Sequence, residues 1–185
     1  AIRFAERTVA AGVEVAILHS ISSHLHQLRA TVYSPQAARI KFMIDDYSLP
    51  TDRYSLLSHL RLRGRDPDEH IVIVPANESR FLDEARIEEA RRNPELQMAL
   101  FPSVVYTTGQ LLDLERICRA ARSNDVVIGL DLSHSVRVLP HSLDEWGADF
   151  AGWGTYKWLN SGPGRVRGVC LTPTPFSDIG RVRRG

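Results

Sequence analysis

Cysteine and lysine are both scarce in this sequence. Only two cysteines occur among 185 residues, Cys118 and Cys170. They lie far apart with no Cys-x-x-Cys or Cys/His pattern around them, which excludes a disulfide scaffold. No run of about 18 apolar residues occurs, so a transmembrane helix is not expected. Residues Ala1 to Gly12 carry Arg3, Glu6 and Arg7 without an apolar stretch, so no signal peptide is expected. A reducing, cytoplasmic setting with no membrane partner is the resulting expectation. Neither a GxxxxGK[ST] loop nor a GxGxxG turn is present, so no nucleotide motif exists. An excess of one charge is also lacking. Twenty-three basic residues face 22 acidic ones, for a formal net charge of +1. That argues against a nucleic-acid partner, although Arg165, Arg167, Arg181, Arg183 and Arg184 make the C-terminal stretch locally basic. Among the basic residues only Lys41 and Lys157 are lysines. A lysine kept in so arginine-rich a chain invites a reason.

What is present describes a globular α/β chain. Hydrophobic residues make up 43% of it, which excludes disorder at this low net charge. A chain of this length hides roughly 70% of its unfolded surface. Short β-branched apolar runs predict strands at Val13–Leu18, Arg39–Ile44, Ile71–Val74, Gln97–Val105, Asp125–Leu132, Ala148–Trp153 and Val166–Leu171. Between them, helical spacing predicts a helix after the Ser20–Ser23 hydroxyls. Others are expected after Thr51 or Asp52 as a cap, over Leu82–Arg92, over Leu111–Arg122 and, briefly, over Leu143–Trp146. Ala1 to Val9 reads as the end of a further helix. Strands alternating with helices point to a three-layer αβα domain with a mainly parallel sheet. Ligands in such sheets sit outside the carboxyl ends of the strands.

Three strand ends carry unusual chemistry. Asp131 and His134 follow the most apolar strand, where an unpaired acid costs several kcal/mol; the bland reading is a turn-capping Asp. Lys157 follows the next strand, flanked by Trp153, Tyr156 and Trp158. Burial there would depress its pKa and free the amine for Schiff-base chemistry; the bland reading is a surface lysine with a buried stem. Ser20 to Ser23 offers hydroxyls and free backbone N–H groups at a helix start, suited to a phosphate or simply to N-capping. Together these are the parts that pyridoxal phosphate requires: a phosphate cup, an acid for the pyridine nitrogen and a lysine. His19, His24 and His26 do not have the spacing of a metal site on one helix face. Arg61, Arg63 and Arg65 read as a solvated basic loop.

The run DLSHSVRVLPHSLDEWGADFAGWGTYKWLNSGPG, Asp131 to Gly164, closely resembles the kynureninases, which are fold-type I pyridoxal-phosphate enzymes. Upstream, Ser20-Ile-Ser-Ser-His-Leu-His26 resembles their phosphate-binding segment, Leu49-Pro-Thr-Asp-Arg-Tyr54 their Phe-Pro-Ser-Asp segment, and Tyr106-Thr-Thr-Gly-Gln110 their Tyr-Thr-Gly-Gln turn. The resemblance implies roles residue by residue. Lys157 would be the Schiff-base lysine and Asp131 the partner of the pyridinium nitrogen. His134 would lie beside the cofactor, and Tyr156 would reach its phosphate. Ile21 and Ser22 match phosphate-binding positions; Leu49, Thr51 and Asp52 match positions lining the cofactor ring. Two positions depart from the family. Its ring-stacking aromatic is Leu49 here, and one of its serines falls on Pro102.

The implied activity is hydrolysis of L-kynurenine or 3-hydroxykynurenine to anthranilate or 3-hydroxyanthranilate and L-alanine, within tryptophan catabolism and NAD biosynthesis. The implied cofactor is pyridoxal 5'-phosphate, and the implied assembly is a homodimer. Another fold-type I enzyme, an aminotransferase or a desulfurase, shares the Asp and Lys logic, and a non-catalytic truncated product is a third reading. The resemblance also implies that residues 1–185 form part of a single large domain, truncated at both ends and without the family's C-terminal small domain.

Overall fold

A computed structural model describes residues 15–18, 20–33, 38–162 and 167–172. The helix expected over Ala1–Val9, residues Val13, Glu14, His19 and Val166, and the basic stretch after Thr172 lie outside the described residues. The strands are β1 (Val15–Leu18), β2 (Lys41–Asp45), β3 (Ile71–Val74), β4 (Leu96–Pro102), β5 (Val127–Asp131), β6 (Phe150–Gly154) and β7 (Arg167–Leu171). The helices are α1 (Ile21–Val32), α2 (Pro50–Leu62), α3 (Pro67–His70), α4 (Glu84–Ala90), α5 (Leu114–Arg122) and α6 (Leu143–Trp146). All seven strands join one sheet in the order β1-β7-β6-β5-β4-β2-β3.

Local chemistry fixes most element ends. The Ser20 hydroxyl accepts from Ser23 N at 3.1 Å and opens α1. Asp83 and Asp113 cap α4 and α5 through backbone N–H groups of Ala85 and Arg116. The cap expected of Thr51 or Asp52 is corrected by the structure: α2 begins two or three residues earlier, with Leu49 at the cap and Pro50 in the first helical position. Proline suits that position because its missing N–H would be unpaired there in any case. The short helix α3 was not foreseen. Asp66 caps it onto Asp68 N, and Pro67 starts it. Gly147 ends α6 at φ +82°, a left-handed conformation that glycine adopts without strain.

Strand alternation builds the two outer layers. Phe42, Ile44, Met98 and Leu100 point to one face, where Leu25 and Leu28 of α1 and Leu56 and Leu60 of α2 cover them. Met43, Ala99, Phe101, Ile128 and Leu130 point to the other, packed with Ile87 of α4, Ile117, Cys118 and Ala121 of α5, and Leu143 of α6. These period-2 faces, each covered by helices, make the three-layer αβα domain. The sheet is mainly parallel: β3, β2, β4, β5 and β6 run the same way. Strand β7 alone runs against its neighbours β6 and β1.

Two glycines are demanded by close packing rather than by turns. A Cβ on Gly129 of β5 would lie 2.1 Å from the Phe150 ring, and one on Gly168 of β7 would lie 2.2 Å from the Trp153 indole. Both rings are buried and cannot retreat. Gly129→Ala and Gly168→Ala are each expected to destabilise the fold by about 1–3 kcal/mol, the usual cost of overpacking a core. Urea denaturation of the two variants checks this; an unchanged midpoint would show that the rings have room.

Candidate active site

The parallel strands bring their carboxyl ends to one edge of the sheet. Because β7 reverses direction on both sides, β1 again runs parallel to β6. Leu18, Asp45, Pro102, Asp131 and Gly154 therefore end their strands at the same edge. A shallow, solvent-open cleft lies there, lined by Asp45, Tyr47, Leu49, Asp52, Pro102, Asp131 and His134 among others. Pro102 closes β4 beyond the last pairing with β2, where no ladder bond is lost.

Asp131 and Lys157 come from neighbouring strands. Asp131 pairs in register with Gly152, and the chain leaves β6 two residues later, at Gly154. The Asp131 carboxylate is buried and accepts from Ser133 N at 2.9 Å, closing the turn after β5. The same residue caps the turn and lines the cleft. Ser133 in turn accepts from Gly154 N at 3.0 Å and ties the two strand exits together. Lys157 is half-buried, and its Nζ lies 2.8 Å from His134 Nε2. The Lys157 pKa is lowered, first by burial and also by the Arg167 charge, against the pull of Asp131 and Asp52. The His134 pKa is lowered as well, by burial and then by Lys157. Of the three aromatic residues expected around Lys157, Tyr156 is in contact: the amine lies 5.8 Å from its ring centroid. Trp153 is buried inside β6, and Trp158 is half-exposed.

On the far wall of the cleft, Asp52 sits in the first turn of α2, 5% exposed. Its Oδ1 has no hydrogen-bond partner. Burial, then the charge of Asp131, pushes its pKa up to about 7, with Arg29 and the Thr51 hydroxyl opposing. Leu49 also lines the cleft, whereas Thr51 is exposed and acts through Asp52. At the other end of the edge, α1 begins just after β1. Ile21 and Ser22 are its first two residues, and their N–H groups precede the first intrahelical bond. The Ser20 and Ser23 hydroxyls, 2.9 Å apart, flank them. The sheet spacing puts this helix start about 10 Å from the end of β6, two strands away. Asp131, His134, Leu49 and Asp52 thus share one cleft, with Lys157 joined to it through His134. Ser22 and Ile21 stand along the same edge. Tyr156, 46% exposed, stands beside Lys157.

Several contributors were not foreseen. Arg29 is 1% exposed on the inner face of α1, beside Leu25 and Leu28. It donates to the Asp52 backbone carbonyl at 3.3 Å and to the Ser55 hydroxyl, joining α1 to α2. A lone arginine among Leu25, Leu28 and Val32 was the available signal. Ser103, Ser135 and His141 form a buried chain behind β5: Ser135 Oγ donates to Ser103 Oγ at 2.7 Å and lies 3.0 Å from His141 Nε2. Ser103 donates to the Asp131 carbonyl and faces away from the cleft, as expected from its position one residue past Pro102. Among the described residues, no group of three or more His, Cys, Asp or Glu side chains could hold a metal ion, and no helix is long and apolar enough to cross a membrane.

A sheet of this order, with a buried acid ending one strand and a lysine just past the next, defines a fold-type I pyridoxal-phosphate domain. Solved structures agree on the fold: a cysteine desulfurase from Thermococcus onnurineus NA1 superposes with a TM-score of 0.76 at 14% identity, covering 95% of this chain and 41% of that one. The aminotransferase class-V family model matches residues 64–167, and the chain belongs to that family. It is also similar to curated kynureninases. It is 40% identical to that of Bacillus anthracis over 166 residues, 90% of this chain and 39% of the relative. It is 39% identical to that of Geobacillus thermodenitrificans over 165 residues, 89% of this chain and 38% of the relative. The chain therefore spans about two fifths of the length of these relatives. The class-V family and the kynureninases are pyridoxal-phosphate dependent. The residues present fit that group: a buried carboxylate, a half-buried amine of lowered pKa, an orphaned Asp52 oxygen facing the cleft and a hydroxyl-flanked helix start.

Asp52 gives the site a pH signature. An acid with a raised folded pKa binds its proton more readily folded than unfolded. Its stabilising contribution is present below about pH 4 and is lost as pH rises through 7. Asp52→Asn is expected to flatten the stability profile between pH 5 and pH 8 by an amount on the order of 1–3 kcal/mol. Denaturant titrations of both proteins at the two pH values check this. An equal loss in wild type and variant would remove Asp52 as its source.

Proposed function

We propose that the chain is the cofactor-carrying large-domain part of a kynureninase-type hydrolase. The reaction is cleavage of the Cβ–Cγ bond of L-kynurenine, or its 3-hydroxy form, to L-alanine and anthranilate, or its 3-hydroxy form. The observation that carries this reading is the Lys157–His134 contact of 2.8 Å, next to Asp131 on the neighbouring strand, in a chain 40% identical to a kynureninase.

In this reading the residues divide the work along the sheet edge. Ile21 and Ser22 hold the phosphate through the α1 start, with Tyr156 as a further donor. Leu49 and Asp52 line the ring, Thr51 acts through Asp52, and Asp131 would hold the charge at the pyridine nitrogen. Lys157 anchors the aldehyde carbon through Nζ. Pyridoxal phosphate, when bound, supplies an electron sink for charge at the substrate carbon next to the amine. The Lys157 amine, when free, would take the proton from that carbon onto Nζ. His134 Nε2, at hydrogen-bond distance and neutral by its lowered pKa, receives or returns that proton. Leu49 offers a flat aromatic ring nothing to stack on, so retention of the cofactor rests more heavily on the two ends of the site. We further propose a cytoplasmic homodimer acting on a small amino-acid substrate, with neither nucleic acid nor membrane as partner.

Two measurements test the reading. Added pyridoxal phosphate is expected to give a visible absorption band that survives dialysis and is lost in Lys157→Ala, while anthranilate fluorescence appears on addition of L-kynurenine. Sulfide release from cysteine, or transamination of alanine, without kynurenine cleavage would move the protein to another fold-type I activity. No band at all would leave it a non-catalytic product. Leu49→Phe is expected to slow cofactor loss on dialysis by about 2–10-fold, the worth of one aromatic stack; faster loss would place Leu49 away from the ring.

A further inference from the structure

Arg167 belongs to none of the roles assigned above, yet it stands at the centre of the site edge. It opens β7 and pairs with Gly154 of β6 on one side and with Leu18 of β1 on the other. It therefore lies between the strand that delivers Lys157 and the strand that delivers the α1 start. Its guanidinium carbon lies 4.1 Å from the Tyr156 ring centroid, and the Lys157 amine lies 5.8 Å from the same centroid. One aromatic ring thus carries two cations. Gly154 helps to seat that ring, because a Cβ there would lie 2.9 Å from Tyr156 Cε1.

We infer that Arg167 is a positioning residue for Lys157: stacked on Tyr156, it fixes the ring and presents a second positive charge to the amine, favouring the uncharged nucleophile. The groups facing the amine make this necessary. Asp131 from β5 and Asp52 from α2 both favour the ammonium. His134 is a neutral neighbour, lowered by burial. Against the two acids stand burial and the Arg167 charge, and the outcome is a lowered Lys157. Asp52, near 7, pulls least when protonated. A like charge beside the same ring disfavours the charged form of the amine.

The inference shares Lys157 with the proposed function but not its cofactor, and the two can fail separately. With only Lys41 and Lys157 in the chain, amine acylation followed by mass spectrometry reads Lys157 against an internal standard. Lys41 is on the amino end of β2, paired with Glu95 at 2.7 Å. The rate of Lys157 acetylation by acetic anhydride is measured from pH 6 to 11 without pyridoxal phosphate. Arg167→Gln is expected to raise the Lys157 midpoint by roughly 0.5 unit or more, leaving Lys41 unmoved. Arg167→Lys is expected to keep the wild-type midpoint. A midpoint unmoved in Arg167→Gln, or moved equally by Arg167→Lys, overturns the inference. Failure of the cofactor to attach, with these shifts present, would sink the proposed function alone.

Discussion

Backbone pairing between Asp131 of β5 and Gly152 of β6 fixes the distances on which the site depends. Parallel strands about 4.8 Å apart cannot slip by one residue without turning every side chain to the wrong face. Here both faces are buried under helices, so slippage would expose Phe42, Phe101 or Phe150. The core thus enforces a register, and the register places an acid and an amine at neighbouring exits of the sheet. Ser133, bonded to Gly154 N, repeats that constraint at the level of the loops.

Charge is the second organising quantity. Asp45, Asp52 and Asp131 crowd one cleft, and burial raises the pKa of both Asp45 and Asp52. Asp45 compensates with its own turn, accepting from Tyr47 N and from the Ser48 hydroxyl. Asp131 does so through Ser133. Asp52 keeps an oxygen without a partner, a costly arrangement for a group that serves only the fold. Arg29 answers part of that cost from beneath, and its own pKa is lowered to about 10 by burial. The cleft is an acidic site moderated by cations set behind it, an arrangement suited to a cationic ring.

Much of this was legible in the sequence because it rests on local pattern. Short β-branched apolar runs marked the seven described strands within a few residues, and the Leu143–Trp146 turn fell where spacing put it. The Asp131 and Lys157 motifs named the two residues that the sheet then brought together. What escaped depends on partners distant in the chain. The cap of α2 was misread because Thr51 and Asp52 are good capping residues in isolation, while Pro50 sets the start and burial claims Asp52 for the cleft. Helix α3 is a single turn, too short for any periodicity. Arg29 looked like one of many arginines until α2 closed over it. The antiparallel insertion of β7, which restores the direction of β1, is a property of topology and leaves no mark on any single segment.

That double reversal has a consequence for how the site assembles. Among the described strands β1 pairs only with β7, so the first and last of them must meet before the Ser20 to Ser23 segment that follows β1 takes its place at the edge. Every other pairing closes a shorter loop, and loop closure costs more as the chain between partners lengthens. The segment carrying Ser20 to Ser23 thus reaches the edge through the pairing that closes the longest loop. A ligand gripped there would act as a staple between the first and last described strands, converting its binding free energy into cohesion of the sheet.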